Sequence, residues 1–580
     1  MISPDTSSTL MARRGKEGLK LKMGSQENTE AVERIVSIVL DQEDGDLEED
    51  KNAENVEDQN QEEPELQQIE AQADQVEDEV DFWGQISRSP SPWGRSYATS
   101  YATSYAEPEK ETTTEEDLYD DVVASFIYGT NSPFKISEHP SFINMFETLH
   151  PGYKPPTRHQ VAGKILNRVY EKEQQKCIKK VKGTNVCMSL DGWAITVNEP
   201  ILCSSITSFC SSTYLVETID TRGHPQPTAE YLFKIAVHAI QKCEREYGCK
   251  VGSFVTDNAV NVLKMRNELL KDDLEGLICY GCSAHILNLL LKDIGITNIK
   301  EHIVQIVKYF TSNEVASSAY KNAGGSELKL YKRGRWNTLS DSCETCLENW
   351  EIMAKVCEGP SKDKLDKTIM RKIMDSNIQI CADDMSKVLK HIVEALNRVQ
   401  QKQCDIGESL EVWKILEQKM KEVGVSKDTW AKFKKRMALA ISPIHFLANL
   451  MHPIYRGKRL STSEVNQGTL WLGNHHPGVK DIIIKAHTGS DPFNESMFQQ
   501  ELVEAGPKAW WQSHKDILSI EAYEFACQVF TTTASTVGTD KMFSSFGMVQ
   551  SVERSRIGPE KAEKLSFIYT ALNQNMNDDE

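Results

Sequence analysis

Two aspartates stand at the ends of apolar, alternating segments. Val186, Met188 and Leu190 alternate with small polar residues and predict a strand ending at Asp191-Gly192-Trp193. Val251-Gly-Ser-Phe-Val255 predicts another strand, running straight into Thr256-Asp257-Asn258. Carboxylates at strand ends of one α/β sheet lie where such folds bind ligands. Two that converge can hold divalent metal, and metals about 3.5–4 Å apart support in-line attack on phosphodiesters. Oxygen-only ligands select Mg²⁺ or Mn²⁺. Aspartates after strands also serve as turn formers and helix caps. Spacing alone leaves both roles open.

The elements that must position these residues follow from periodicity. Ile201-to-Phe209 and Thr213-to-Ile219 predict two further strands, and Thr228-to-Tyr247 a helix through Leu232, Ile235, Ala239 and Ile240. Asn261-to-Leu270 is helical, Gly276-to-Tyr280 a fifth strand and Ala284-to-Ile294 a helix. The order β-β-β-α-β-α-β-α suits a mixed sheet with helices on both faces. Ahead of it, Val122-to-Tyr128 and Phe142-to-Leu149 are short amphipathic stretches, and Arg158-to-Gln175 reads as one helix. From about Ile299 to Asn494 the pattern is almost purely helical, and Met497 to Leu572 is helical again.

Charge divides the chain. Glu27 to Asp81 holds 22 acidic residues against Arg34 and Lys51, a net of −20; the whole chain carries −19, so the remainder sums to +1. Such a segment buries too little apolar surface to offset its ordering entropy, so residues 1–117 are expected to be a disordered acidic tail. The acidity there says nothing against nucleic-acid binding elsewhere. Arg13, Arg14, Lys16, Lys20 and Lys22 form a short basic stretch of the kind that serves nuclear import. No run approaches about 18 uncharged apolar residues, so no membrane partner is expected. Residues 1–25 lack an apolar secretory core. The 14 cysteines then read as reduced thiols.

Several ordered motifs together resemble the hAT superfamily of transposases. They are Ser132-Pro-Phe134, Glu138-His-Pro-Ser-Phe142 and Pro151-Gly-Tyr-Lys-Pro-Pro-Thr-Arg158, then Asp191-Gly-Trp193 and Thr256-Asp-Asn-Ala259. Cys282-Ser-Ala-His285 resembles the family's Cys-x-x-His motif and Arg335-Trp-Asn337 its Arg-Trp motif. Ala534-to-Gly547 resembles its C-terminal dimerisation block, followed by Arg554-Ser-Arg556 and Pro559-Glu560. The resemblance spans roughly residues 118–575.

It implies an α/β fold, a ribonuclease H-like mixed sheet interrupted by a large all-helical insertion. The implied layout is a helical segment at 118–180, the first part of the core at 181–297, the insertion at 298–496 and a C-terminal dimerisation region at 497–580 that completes the core. The implied metal-binding acids are Asp191, Asp257 and Asp540, holding Mg²⁺ or Mn²⁺, with Cys282 and His285 as structural support. The chain carries Asp540 where the family has Glu, Lys541 where it has Arg, and Thr533 where it has Pro. An Asp reaches roughly 1–1.5 Å less than a Glu, and a misplacement of about 1 Å can cost on the order of 10²-fold in rate. Trp336 is implied to stack on an unpaired base, with Lys332, Arg333 and Arg335 on phosphates. Dimerisation is expected through Trp510, Trp511, Phe525, Phe543 and Phe546, where Ala522, Phe525, Ala526 and Val529 share one helical face.

Cys279-x-x-Cys282-x-x-His285 and Cys343-x-x-Cys346 have metal-like spacing. Cys279 falls inside an apolar strand, where a thiol packs well, and no zinc is expected. No cysteine precedes Cys177, so the BED zinc finger of many hAT relatives is not expected. Two basic clusters, Lys432-Lys434-Lys435-Arg436 and Arg456-Lys458-Arg459, remain as phosphate contacts. The expected function is that of a domesticated, nuclear, transposase-derived protein that forms homodimers, associates with DNA or chromatin, and recruits protein partners through its acidic tail. The alternatives are an active DNA transposase and an inert protein-interaction scaffold. Whether the chain is an enzyme stays open at this point.

Overall fold

The computed structural model describes residues 114–580, apart from 195–199, 222–226, 272–273, 275, 296–297, 333–336, 550–556 and 577–580. The expected tail, residues 1–117, lies almost entirely outside the described residues. Helix α1 (Glu115–Gly129) opens on a capping box in which Thr114 and Asp117 satisfy each other's backbone donors. Helix α2 is Pro140–Leu149, with proline at its first position, where a missing N–H costs nothing.

The single helix expected over 158–175 is two helices. Helix α3 (Arg158–Val161) ends at Ala162, and α4 (Lys164–Val181) restarts after Gly163, whose φ of −133° and ψ of −101° are not helical. Helix α4 then runs beyond the expected end to bury Cys177 and Val181.

The sheet is five-stranded: β1 (Asn185–Ala194), β2 (Pro200–Thr207), β3 (Thr213–Asp220), β4 (Lys250–Thr256) and β5 (Ile278–Gly281). Its spatial order is β3-β2-β1-β4-β5. Strands β1 to β3 are antiparallel hairpin partners, while β4 lies parallel to β1 and β5 parallel to β4. Helix α5 (Ala229–Tyr247) crosses from β3 to β4, α6 (Val260–Lys271) from β4 to β5, and α7 (Ser283–Gly295) follows β5. Gly248, at φ 64°, ends α5 in the left-handed conformation that glycine adopts without steric cost.

Alternation divides the two faces of β1. Val186, Met188 and Leu190 pack with Leu232, Ile235 and Ile240 of α5 and with Phe254 of β4. Cys187 points the other way, into the apolar cluster that includes Val255, Tyr280 and the helices beyond α7. The period of two therefore puts Ser189 and Asp191 on that second face.

Beyond α7 the described chain is helical up to Thr488 and carries no strand. These helices bury Trp350, Trp413 and Phe433 in the same cluster as the second face of the sheet. The C-terminal helices Ile520–Thr531 and Val537–Val549 return to the sheet, and the last, Pro559–Met576, packs on α1 and α4 through Ala562, Leu565 and Ile568. Among the described residues no helix is long and apolar enough to cross a membrane.

Candidate functional site

Strand β1 does not end at Asp191. Asp191, Gly192 and Trp193 stay paired with Cys203, Leu202 and Ile201 of β2, whereas pairing with β4 stops at Leu190 and Thr256. Asp191 thus lies where its parallel neighbour gives out. Asp257 follows Thr256 directly, one step past the same register pair, so the two aspartates are neighbours on adjacent parallel strands. The third acid, Asp540, comes from the first turn of Val537–Val549. Its carboxyl is hydrogen-bonded to that of Asp191, with Asp257 near enough to perturb both.

Burial, then the charges of Asp540 and Asp257, push the Asp191 carboxyl well above the usual carboxylate range. Burial, opposed by the hydrogen bond to Asp191, holds Asp540 up at about 6. Two close carboxyls cannot both ionise cheaply, and one proton between them relieves the repulsion.

Cys282 holds the loop that delivers Asp540. The Cys282 Sγ accepts from the His285 backbone N–H at 3.4 Å, from the Thr536 N–H at 3.4 Å and from the Thr536 hydroxyl at 3.5 Å. Thr536 also bonds the Asp191 carboxyl, and its carbonyl accepts from the Asp540 N–H at 3.1 Å. Burial pushes the Cys282 thiol up to about 11, so it acts as a packed, neutral acceptor. Burial lowers the His285 imidazole below its ordinary value, against the pull of Asp257.

Arg266 does comparable work for Asp257. It is buried, and its guanidinium donates to the Thr256 hydroxyl at 2.5 Å, to the Asp257 carbonyl, and to Asn258 Oδ1 at 2.8 Å. Asn258 in turn donates to the Cys282 carbonyl at 3.3 Å. Its side chain fills the space a Cβ at Gly281 would occupy, 1.9 Å from Asn258 Oδ1. A side chain at 281 would therefore dismantle the clamp. The sequence reading missed Arg266. The available signal was a charged residue inside the buried stripe Met265, Arg266 and Leu269 of α6.

The implied Mg²⁺ or Mn²⁺ can be tested against this arrangement. The oxygen donors are of the right kind, but one oxygen of Asp191 accepts from the Gly192 N–H at 2.7 Å and one of Asp257 from the Ala259 N–H at 3.3 Å. Asp191 and Asp540 face each other across their own hydrogen bond. Among the described residues no group of three or more His, Cys, Asp and Glu side chains is placed to hold a metal ion. As arranged, the trio does not fit an ion.

Other expected sites fare differently. Trp336, Arg333 and Arg335 lie outside the described residues, and Lys332 is exposed. Cys343 and Cys346 are buried in the helical core with Trp350 and Met353. Trp510, Trp511, Phe525 and Phe543 are buried within the chain's own core and offer no face to a second chain. Both indoles are satisfied internally, Trp510 Nε1 on the Met497 carbonyl at 2.7 Å and Trp511 Nε1 on the Met451 carbonyl at 3.2 Å. The Phe546 side chain lies outside the described residues.

The basic clusters are largely neutralised. Lys432 pairs with Asp428 at 2.7 Å, Lys434 with Glu417 at 3.4 Å, and Arg436 with Asp293 through two bonds of 2.6 and 2.9 Å. Arg456 pairs with Glu495 and Arg459 with Glu411.

Fold and site together define an α/β protein whose five-stranded mixed sheet carries a half-buried acidic centre, completed by a helix from the far end of the chain. A family model described as a domain of unknown function, DUF659, matches residues 156–310. That span contains all five strands, Asp191, Asp257, Cys282 and His285, and leaves Asp540 outside. No curated protein matches the chain.

Proposed function

We propose that this is a transposase-derived protein of the hAT kind, with a ribonuclease H-like core, that associates with DNA or chromatin in the nucleus as a homodimer and no longer transposes. The observation carrying this reading is the acidic centre. Three carboxylates from widely separated positions meet on one face of the sheet in the order the family resemblance implies, yet Asp540 is bonded to Asp191 instead of being spread around an ion. A lineage that cut DNA accounts for the convergence, and loss of cutting accounts for the closure. The DUF659 match supports the hAT relationship only loosely. Dimerisation uses surface other than the buried tryptophans, and the acidic tail is left to recruit protein partners.

The convergence itself favours a second reading, an active transposase whose centre opens around Mg²⁺ or Mn²⁺ when DNA is bound. The two readings share DNA association, which a pure interaction scaffold lacks. Fluorescence anisotropy of a labelled duplex with the full chain separates them from the scaffold. Binding that weakens steeply between about 50 and 200 mM salt supports DNA association, and no binding at low salt overturns it.

A further inference from the structure

We infer that Lys179, Lys180, Lys182 and Lys250 form the surface that contacts the phosphodiester backbone of duplex DNA; the inference deepens the DNA-associating reading above and rests on it. All four are exposed. Lys179 and Lys180 lie in the last turn of α4 and Lys182 caps it, while Lys250 opens β4. The two segments are knitted together: the Gly183 N–H donates to the Gly248 carbonyl at 2.8 Å, and the Lys250 N–H to the Thr184 carbonyl at 2.9 Å. The Lys182 stem lies over Gly248, with its Cγ 3.4 Å from where a Cβ there would sit. The four lysines therefore lie on two adjoining segments at one end of the sheet.

What distinguishes this surface is the state of its acids. Glu173 is neutralised by Lys176 at 2.6 Å and Glu246 by Arg245 at 3.3 Å, while Glu244 keeps its charge and is turned to the Val251 N–H at 3.0 Å. Among the described residues none of the four lysines has a carboxylate partner within ion-pair distance; Lys180 reaches only the Tyr214 hydroxyl. In the clusters at 432–436 and 456–459, by contrast, intramolecular carboxylates already neutralise most of the charge. Binding there would first break ion pairs. At 179–182 and 250 it would only release counterions, the ordinary driving force for contact with a polyanion.

Position keeps this surface separate from the acidic centre. Seven residue steps along β4 take the chain from Lys250 to Asp257, about 23 Å at the rise of a strand. Substitutions at one end leave the other intact. Because all four side chains are exposed, replacing them with glutamine removes charge without opening a cavity.

The experiment is duplex anisotropy over a salt series with three full-length proteins: wild type, a Lys179→Gln/Lys180→Gln/Lys182→Gln triple variant, and a Lys432→Gln/Lys434→Gln/Lys435→Gln control. Thermal unfolding confirms that each is folded, and Lys250→Gln serves as a milder second variant. The expected result is a loss of at least about tenfold in low-salt affinity for the first triple variant. The slope of log K against log salt should shallow by about one unit for each phosphate that is no longer neutralised. Lys250→Gln should shallow it by about one, and the control should match wild type. Wild-type binding unchanged in the first triple variant, or equal losses in both triples, overturns the assignment and leaves the DNA reading standing. No binding by wild type overturns both.

Discussion

The carboxyl of Asp540 is hydrogen-bonded to that of Asp191. One sits on a strand of the first half of the sheet and the other on a helix that returns after the whole helical insertion. Closing that contact demands that the loop before Asp540 be fixed, which Thr536 and Cys282 accomplish.

The pairing makes stability depend on pH. A carboxyl held at about 6 in the folded chain, against an ordinary 3.8, binds its proton more tightly when folded. Its contribution is full below about pH 4 and is lost as pH rises through about 6. Asp540→Asn keeps a hydrogen bond to Asp191 and removes the titration. The variant should be more stable than wild type at pH 8 by about 1–3 kcal/mol, with the gap closing towards pH 4. Denaturant melts at the two pH values measure it, and a constant gap would contradict the shared proton.

Asp405 gives a second titration. It caps helix Ile406–Val423 by accepting from Gly407 and Glu408 at 2.8 and 2.9 Å, and burial raises it to about 7. Being raised, its contribution is again present at low pH and lost as pH climbs towards 7. Asp405→Asn retains the cap and should gain stability on wild type as pH rises from 5 to 8, whereas Asp405→Ala should lose about 1 kcal/mol through the missing cap near pH 4, a deficit that shrinks as the wild-type carboxyl ionises towards pH 7. The residues flanking Asp405 bond the loop that leads to Asp540, Cys404 through its carbonyl to the Ala534 N–H at 2.8 Å and Ile406 through its N–H to the Thr532 hydroxyl at 3.4 Å, so the effects of Asp405→Asn and Asp540→Asn should depart from additivity. Strict additivity would show that the two sites are independent.

Arg266→Met should cost about 2–4 kcal/mol, because the Thr256 hydroxyl, the Asp257 carbonyl and Asn258 Oδ1 lose a charged donor while buried or half-buried. Hydrogen exchange should accelerate first at residues 256–261 and 281–285. Uniform acceleration across the sheet would mean that Arg266 supports the fold generally and not the Asp257 loop.

Trp510→Ala and Trp511→Ala should each destabilise the protomer by about 3–5 kcal/mol through a core cavity. The loss should be independent of protein concentration. A dimer that dissociates while each chain keeps its melting temperature would restore these tryptophans to an interface.

Much of this was legible in the sequence. Asp191 and Asp257 stood out because apolar alternation stops beside them, and the order of five strands and three helices followed from period alone. The extension of β1 past Asp191 was not legible, because it depends on which neighbour still pairs. Arg266 escaped notice because its partners come from the turn it folds back upon. The clusters at 432–436 and 456–459 read as free charge because Asp293, Glu411 and Glu495 approach them only in three dimensions. Trp510 and Trp511 read as dimerisation residues because the groups that cover them meet them only in three dimensions. Here they pack against different neighbours, Trp510 on Phe498 and Trp511 against Phe530.

The most direct test of a closed acidic centre is calorimetric titration of Mn²⁺ into the full chain and into Asp191→Ala, first alone and then with duplex DNA present. The expected result is no difference between the two proteins in either condition, the carboxyls remaining bonded to each other. Heat of binding that is present in wild type and abolished by Asp191→Ala would contradict the closure and identify a centre still able to take metal.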